Sequence, residues 1–314
     1  MRSRLEKSTA LQRSMKISLV FTTYNSPAWL EKVFWSVLTQ DHPEFEVIVA
    51  DDGSTEETRS LIHRYQGEFA ERGLPLVHVW QADKGFRKCR ALNKALLHAS
   101  HDYVVFTDGD CVLRRDFLSV HARAAQSGVY LSGTYFKLPM ETSKAIERDD
   151  IVSQRCFHRR WLSGHGLTGQ RGRLKLTHSA ALAQLLNKTT VTACNLKGSN
   201  ASAWKSDLLA VGGMDERLAS GGQDRELGVR LQNHGIKPRH VRFDAVCLHL
   251  DHARGYRTEA MVREVREHRQ RIEREGTAYT AHGTDALLAA GYPASVESKG
   301  SETTGPSGGP SGGP

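Results

Sequence analysis

The sequence lacks any run approaching the roughly 18 apolar residues that a membrane-spanning helix requires. It opens on Met1-Arg-Ser-Arg-Leu-Glu6, with no apolar stretch ahead of a small-residue cleavage site, so no secretory signal is expected. Cysteine is scarce: there are five, Cys89, Cys111, Cys156, Cys194 and Cys247, widely scattered and never spaced Cys-x-x-Cys. That pattern argues against a thiolate zinc site and for reduced thiols in a cytoplasmic protein. No Gly-x-Gly-x-x-Gly follows the first apolar run, which counts against a dinucleotide-dependent dehydrogenase. With 39% hydrophobic and 25% charged residues, collagen-like, coiled-coil and wholly disordered chains are excluded as well.

What is present is a 314-residue chain with 43 Lys and Arg against 35 Asp and Glu, a formal charge of +8 that favours anionic partners. Nucleic acid is not among the expected partners, because no nucleic-acid-binding module is recognisable. Short apolar runs at Ile17–Phe21, Phe45–Ala50, Leu76–Trp80 and Tyr103–Thr107 alternate with helical patterns. Those patterns begin after Ser26-Pro27, at Thr55 and at Lys88. Strand and helix in alternation predict a mostly parallel, Rossmann-like sheet flanked by helices, an α/β class. Ligands of such sheets sit beyond the carboxyl ends of the strands. Three polar clusters fall at those ends: Thr22–Asn25, Asp51–Ser54 and Asp108–Asp110.

Beyond Tyr135 the pattern blurs into a basic stretch, residues 137–195. A solvated insertion explains that stretch, as does a surface for an anionic acceptor or for the anionic face of a membrane. A helix is expected from near Trp204, another from near Asp224, a strand over Val241–Leu250 and a charged helix over Glu259–Arg274. The Ser/Gly/Pro-rich residues from Gly300 onward read as a disordered tail. The expected organisation is therefore a flexible segment over 1–15, one large domain over 16–256, a helical extension over 257–292 and a tail over 293–314.

Each cluster has a structural and a chemical reading. Asp108-Gly109-Asp110 is an Asp-Gly turn, or a pair of hard oxygen ligands for Mg²⁺ or Mn²⁺. Asp51-Asp52-Gly53-Ser54 is a turn with a helix cap, or a carboxylate accepting hydrogen bonds from a nucleoside. Arg87, Lys88 and Arg90 crowd the start of a helix, where the dipole disfavours cations unless an anion is bound. Asp224 is a helix cap, or a general base on a loop that Gly221 and Gly222 let approach a substrate. His249 and His252 each offer an imidazole to a divalent ion.

Six segments together resemble family 2 glycosyltransferases of the GT-A fold. They are Phe21-Thr-Thr-Tyr-Asn25, Val49-Ala-Asp-Asp-Gly-Ser54, Phe106-Thr-Asp-Gly-Asp110, Gly198-Ser-Asn200, Val211-Gly-Gly-Met-Asp-Glu216 and Gly222-Gln-Asp-Arg-Glu-Leu227. The later ones look most like the bacterial chondroitin-polymerase and galactosyltransferase branch. The resemblance implies inverting transfer of a sugar from a nucleotide donor, UDP-linked by preference, to a glycan or lipid-linked glycan, as in lipopolysaccharide or capsule synthesis. Residues 16–135 would form the nucleotide-sugar half and 136–256 the acceptor half.

By position, Thr22, Tyr24, Asn25, Asp52, Arg90, Asp108 and Gly109 match the donor site. Asp110, with His249 or His252, matches the ligands of Mn²⁺ or Mg²⁺. Asp224 matches the catalytic base, and Gly222, Gln223 and Asn200 match the acceptor side. Family members usually carry Glu where this chain has Gln223, a change expected to touch acceptor choice. Two other readings compete. A nucleotidyltransferase would want a Gly-rich loop after the first strand, which Phe21-Thr-Thr-Tyr-Asn25 lacks. A non-catalytic binding module has Gln223 as its sole support. Peripheral contact with the inner face of the plasma membrane is a further expectation.

Overall fold

A computed structural model describes residues 15–169, 172–218, 221–252 and 259–293. The expectations for the N-terminal segment and the tail fall almost wholly outside that set.

The first half follows its apolar runs. Strands β1 (Ile17–Thr23), β2 (Phe45–Asp51), β3 (Leu76–Trp80) and β4 (Tyr103–Asp108) alternate with helices α1 (Pro27–Val37), α2 (Glu56–Glu71) and α3 (Lys88–His98). β1 and β2 are buried almost throughout because both faces of the sheet are covered. Along β1, Leu19 and Phe21 enter the core formed with Phe34, Tyr65 and Phe69. Val20 points the other way, to Leu92 and Leu96 of α3.

The second half builds around this frame. After β5 (Cys111–Leu113) come α4 (Phe117–Ala124), β6 (Val129–Ser132) and β7 (Thr134–Lys137). Four helices follow, α5 (Met140–Ala145), α6 (Arg148–Val152), α7 (Arg159–Gly164) and α8 (Ala180–Thr189). Next are β8 (Asn200–Trp204), α9 (Lys205–Ala210), α10 (Gln223–Asn233), β9 (Lys237–His240) and β10 (Val246–His249). Helices α11 (Glu259–Glu275) and α12 (Thr284–Ala289) close the described chain.

The large sheet has the order β3-β2-β1-β4-β8-β6-β9, and a small one the order β5-β10-β7. The large sheet is mostly parallel, but β8 runs antiparallel to both β4 and β6. Two expectations are corrected here. Residues 137–176 are not a merely solvated insertion: Leu138, Ile146, Ile151, Phe157, Leu162 and Leu176 form a buried core against Val246 and Leu248 of β10. The strand expected over Val241–Leu250 begins only at Val246, since Val241–Ala245 closes a turn in which Ala245 N donates to Val241 O at 3.0 Å.

A buried hydrogen-bond chain ties the two sheets together. Nδ2 of Asn200 donates to Thr134 O at 2.9 Å and to Ala245 O at 2.8 Å, so its Oδ1 is the acceptor facing His121 Nε2 at 3.1 Å. That fixes the His121 proton on Nε2 and leaves Nδ1 to accept from Ser202 Oγ at 2.8 Å. Ser202 in turn accepts from the Tyr103 hydroxyl at 2.7 Å. All four residues are fully or almost fully buried. A Cβ on Gly133 would lie 2.3 Å from the Asn200 amide, so this turn requires glycine.

Burial pushes the His121 imidazole down to about 4 from its ordinary 6.5. Above pH 6.5 the ring is neutral in both folded and unfolded chains, and the network contributes in full. As the pH falls toward 4, the unfolded chain takes up a proton that the fold refuses. The expected cost is about 3 kcal/mol, because each tenfold loss of proton affinity is worth roughly 1.4 kcal/mol. Urea unfolding from pH 7 to pH 4 should show this loss in the parent and a flatter profile in His121→Gln. Parallel profiles would remove His121 from the account.

Candidate active site

The carboxyl ends of β1 and β4 open into a cleft of about 680 Å³. Thr22, Tyr24, Asp52, Asp108, Gly109, Asp110, Gly222, Gln223, Asp224, His249 and His252 all line it. Residues far apart in sequence meet because the strand pairings bring them there.

β1 and β4 pair with Thr22 opposite Asp108. At their ends Gly109 N donates to Thr22 O at 2.9 Å, and a Cβ on Gly109 would fall 2.5 Å from that oxygen. Glycine is thus required between the two acids by close approach of the chains. The antiparallel pairing of β5 with β10 sets Cys111 against His249, and Leu250 N donates to Asp110 O at 2.9 Å. The same pairing delivers His249 and His252 to Asp110, with Nε2 to Oδ2 distances of 3.6 and 2.9 Å.

The donor set has the character of a transition-ion site. One ligand atom from each of Asp110, His249 and His252 lies within 4.8 Å of the others. Nδ1 of His249 donates to Leu250 O at 2.7 Å, which orients the ring with Nε2 toward Asp110. Burial pushes the Asp110 carboxyl up. The hydrogen bond from His252 and the charges of His249, His252 and Lys88 outweigh it, and the net direction is down. An ionised carboxylate beside two imidazoles suits Mn²⁺ better than Mg²⁺, whose preferred ligands are all oxygen.

Lys88, at the first turn of α3, holds the other acid: its Nζ lies 2.6 Å from Asp108 Oδ1. Burial lowers the Lys88 ammonium. The pairing with Asp108 and the charges of Asp110 and Asp224 raise it further, so it stays charged. The sequence marks this residue only as part of a basic helix start, with Arg87 and Arg90, and does not single it out for the cleft.

The opposite wall is the loop leading into α10. Gly222 has φ +93°, and a Cβ there would come 2.9 Å from Val265 of α11. Oδ2 of Asp224 accepts from Gly198 N at 3.1 Å, and Oδ1 from Arg225 N at 2.8 Å. Beside it, Gln223 Oε1 is buried without a hydrogen-bond partner among the described residues, as is Thr23 Oγ1 across the cleft. Asp51 and Asp52 divide the work. Asp51 accepts from Ser54 N at 2.8 Å and pairs with His78 at 2.9 Å, a structural role. Asp52 faces the cleft, accepting from Gln81 Nε2 and Arg87 N at 2.7 Å each, and burial holds its carboxyl above the usual range. Tyr24 donates to Asp83 at 2.9 Å.

Three residues expected at the site do not line it. Oδ1 of Asn25 accepts from Thr55 N at 2.8 Å, and its φ of +45° makes it a turn residue. Arg90 is paired with Glu216 at 2.9 Å. Asn200 is fully buried in the network that joins the sheets, beneath the cleft rather than on its wall.

Known proteins share this fold. The mannosyltransferase PcManGT from Pyrobaculum calidifontis, solved in complex with GDP-Man and Mn²⁺, superposes with a TM-score of 0.52 at 19% identity. That match covers 92% of this chain and 85% of the other. Staphylococcus aureus TarS 1–349 in complex with UDP-GlcNAc gives a TM-score of 0.53 at 17% identity, over 83% and 71% of the two chains. These likenesses place the fold among GT-A structures.

In sequence, the validoxylamine A glucosyltransferase of Streptomyces hygroscopicus subsp. jinggangensis is 28% identical over 233 residues, 70% of this chain and 52% of that protein. The uncharacterized glycosyltransferase YfnE of Bacillus subtilis is 25% identical over 270 residues, 76% of this chain and 65% of its own length. The chain spans about half the length of the first of these relatives. The model of glycosyl transferase family 2 matches residues 18–183, more than half of the 314, and the chain belongs to that family.

Proposed function

We propose that this protein transfers a glycosyl group from a nucleotide-sugar, UDP-linked by preference, to a hydroxyl of a glycan or lipid-linked glycan, with inversion at the anomeric carbon. The observation that carries the reading is the Asp110–His249–His252 cluster, set in one cleft with Asp224 on the facing wall.

Asp52 and Thr22 would bind the nucleoside, a role supported by the Asp52 carboxylate being held by Gln81 and Arg87 N. Tyr24 is half exposed at the rim and offers a ring face to a base. Asp110, His249 and His252 would hold a divalent ion, Mn²⁺ by preference, which when bound neutralises charge on the leaving diphosphate. Lys88 adds a fixed positive charge at the same end of the cleft. Asp224 takes the acceptor proton: backbone N–H groups of Gly198 and Arg225 orient its carboxylate. The orphaned Gln223 Oε1 and Thr23 Oγ1 support a polar ligand, since leaving each unsatisfied costs roughly 1–3 kcal/mol. Gln223 would meet the acceptor as a neutral amide.

No helix among the described residues is long and apolar enough to cross a membrane. Action in the cytoplasm, with peripheral contact at the inner membrane face, is part of the proposal.

Asp224→Asn should retain donor affinity and lose roughly 10²–10⁴-fold in turnover. Nucleoside diphosphate release with a candidate acceptor measures this, and near-normal turnover would remove Asp224 as the base. Chelation by EDTA should abolish transfer, and Mn²⁺ should restore it at lower concentration than Mg²⁺. His249→Ala should raise the Mn²⁺ concentration needed by at least roughly 10–100-fold, the range already seen on losing a hydrogen-bond partner behind a ligand. Full activity in chelator would overturn the metal assignment. A thermal-shift panel of UDP-, GDP-, dTDP- and CMP-sugars tests the donor preference.

A further inference from the structure

We infer that Lys175, Lys197 and Arg242, with Arg225 at the rim, form a subsite for a negatively charged group on the acceptor, a carboxylate or a phosphate. The inference rests on reading the cleft as a glycosyl-transfer site and specifies the chemistry of one substrate.

The cluster is defined by where its side chains are anchored. Lys175 Nζ donates to Tyr135 O at 3.1 Å, and Lys197 Nζ to Thr134 Oγ1 at 3.4 Å, neighbouring residues of β7. Tyr135 lines the cleft and packs its ring on His249, with centroids 4.6 Å apart. Lys197 directly precedes Gly198, whose N–H holds Asp224. Arg225 follows Asp224 and is exposed. Lys197 and Arg225 therefore flank the proposed base, one through the Gly198 N–H and one as its chain neighbour.

Among the described residues the cluster is short of counter-charge. Burial, with the charges of Arg242 and Lys197 acting in the same sense and Cys247 opposing them, pushes the Lys175 ammonium down to about 8. Arg242 and Arg225 act on Lys197 in the same sense, opposed by Asp224. Arg242 leans on the Phe243 ring, and its Nε is buried without a hydrogen-bond partner among the described residues. Half-buried cations are ordinarily paired, because desolvating an unpaired charge is costly. Each ammonium has three donors and, among the described residues, uses one. A carboxylate or phosphate brings several acceptor lone pairs and the missing charge. A glycan is favoured over a lipid surface because the cluster adjoins the cleft wall beside Asp224, where an acceptor must lie for its hydroxyl to be deprotonated.

The test compares the parent with Lys175→Gln/Lys197→Gln and, separately, Arg242→Gln, by isothermal titration. The probes are tri-galacturonate as the carboxylate arm, maltotriose 6-phosphate as the phosphate arm, maltotriose as the neutral arm, and phosphatidylglycerol vesicles. The parent should bind at least one charged oligosaccharide roughly tenfold or more tightly than the neutral one, a difference of about 1.4 kcal/mol. That preference should weaken with salt. Both variants should lose most of the preference while UDP–Mn²⁺ affinity stays within about twofold of the parent, which also certifies their fold.

Whichever charged arm wins identifies the group recognised. Equal affinity of the parent for charged and neutral arms overturns the subsite. So does equal loss of both in the variants, or dependence of vesicle binding alone on these lysines. Failure of the parent to bind UDP–Mn²⁺ strikes the proposed function instead, and is read separately from the oligosaccharide result.

Discussion

The buried chain of hydrogen bonds from Tyr103 through Ser202 and His121 to Asn200 is the constraint on which the rest of the molecule depends. It begins on β4, crosses β8 and α4, and ends on the carbonyls of Thr134 and Ala245. One end belongs to the strand that carries Asp108. The other belongs to the small sheet that carries His249. The Tyr103 and Ser202 hydroxyls and the His121 ring N–H each have one acceptor, and the Asn200 amide has two carbonyls, so the sense of the chain is fixed and the two sheets have a single relative placement. A cluster whose ligand atoms lie within 4.8 Å of one another could not be assembled from two sheets free to slide.

The cleft shows a division of charge that pairwise inspection hides. Four acids, Asp52, Asp108, Asp110 and Asp224, face a common space. Each is engaged differently: Asp52 by an amide and a backbone N–H, Asp108 by an ammonium, Asp110 by imidazoles, Asp224 by backbone N–H groups alone. Only Asp108 has its charge cancelled by a permanent cation at hydrogen-bond distance. Asp110 and Asp224 keep theirs at opposite walls, one beside nitrogen ligands and one beside a buried amide. Neighbouring carboxylates acquire separate roles in this way, through environment rather than identity.

The frame from β1 to β4 was legible because each strand is a compact apolar run and each helix has an amphipathic period. Strand β8, Asn-Ala-Ser-Ala-Trp, carried no such signal. Its small residues have little strand preference of their own, and its identity comes from lying between β4 and β6. The core of residues 137–176 was hidden for a related reason: α5, α6 and α7 are too short to display a full period. At the site, motifs fixed by backbone geometry were readable, among them Asp108-Gly109-Asp110 and the Gly222-Gln223-Asp224 turn. Asn25, Arg90 and Asn200 were not, because a polar side chain in a motif serves equally well as a ligand or as a brace. Only its partners, Thr55, Glu216 and the carbonyls of Thr134 and Ala245, tell which.

The packing of α11 against the loop before α10 bears on where the functional unit ends. Val265 lies where Gly222 has no side chain, and Asn233 at the end of α10 donates to Ile272 O and Thr277 O at 3.1 and 2.9 Å. The segment bearing Asp224 is thereby clamped from behind by residues beyond 258. The family match stops at residue 183, ahead of β8, α10 and both histidines. A fragment trimmed to that match would keep the wall bearing Asp52 and Asp108 and discard the wall that faces it, so the end of the family match is not an end of the cleft.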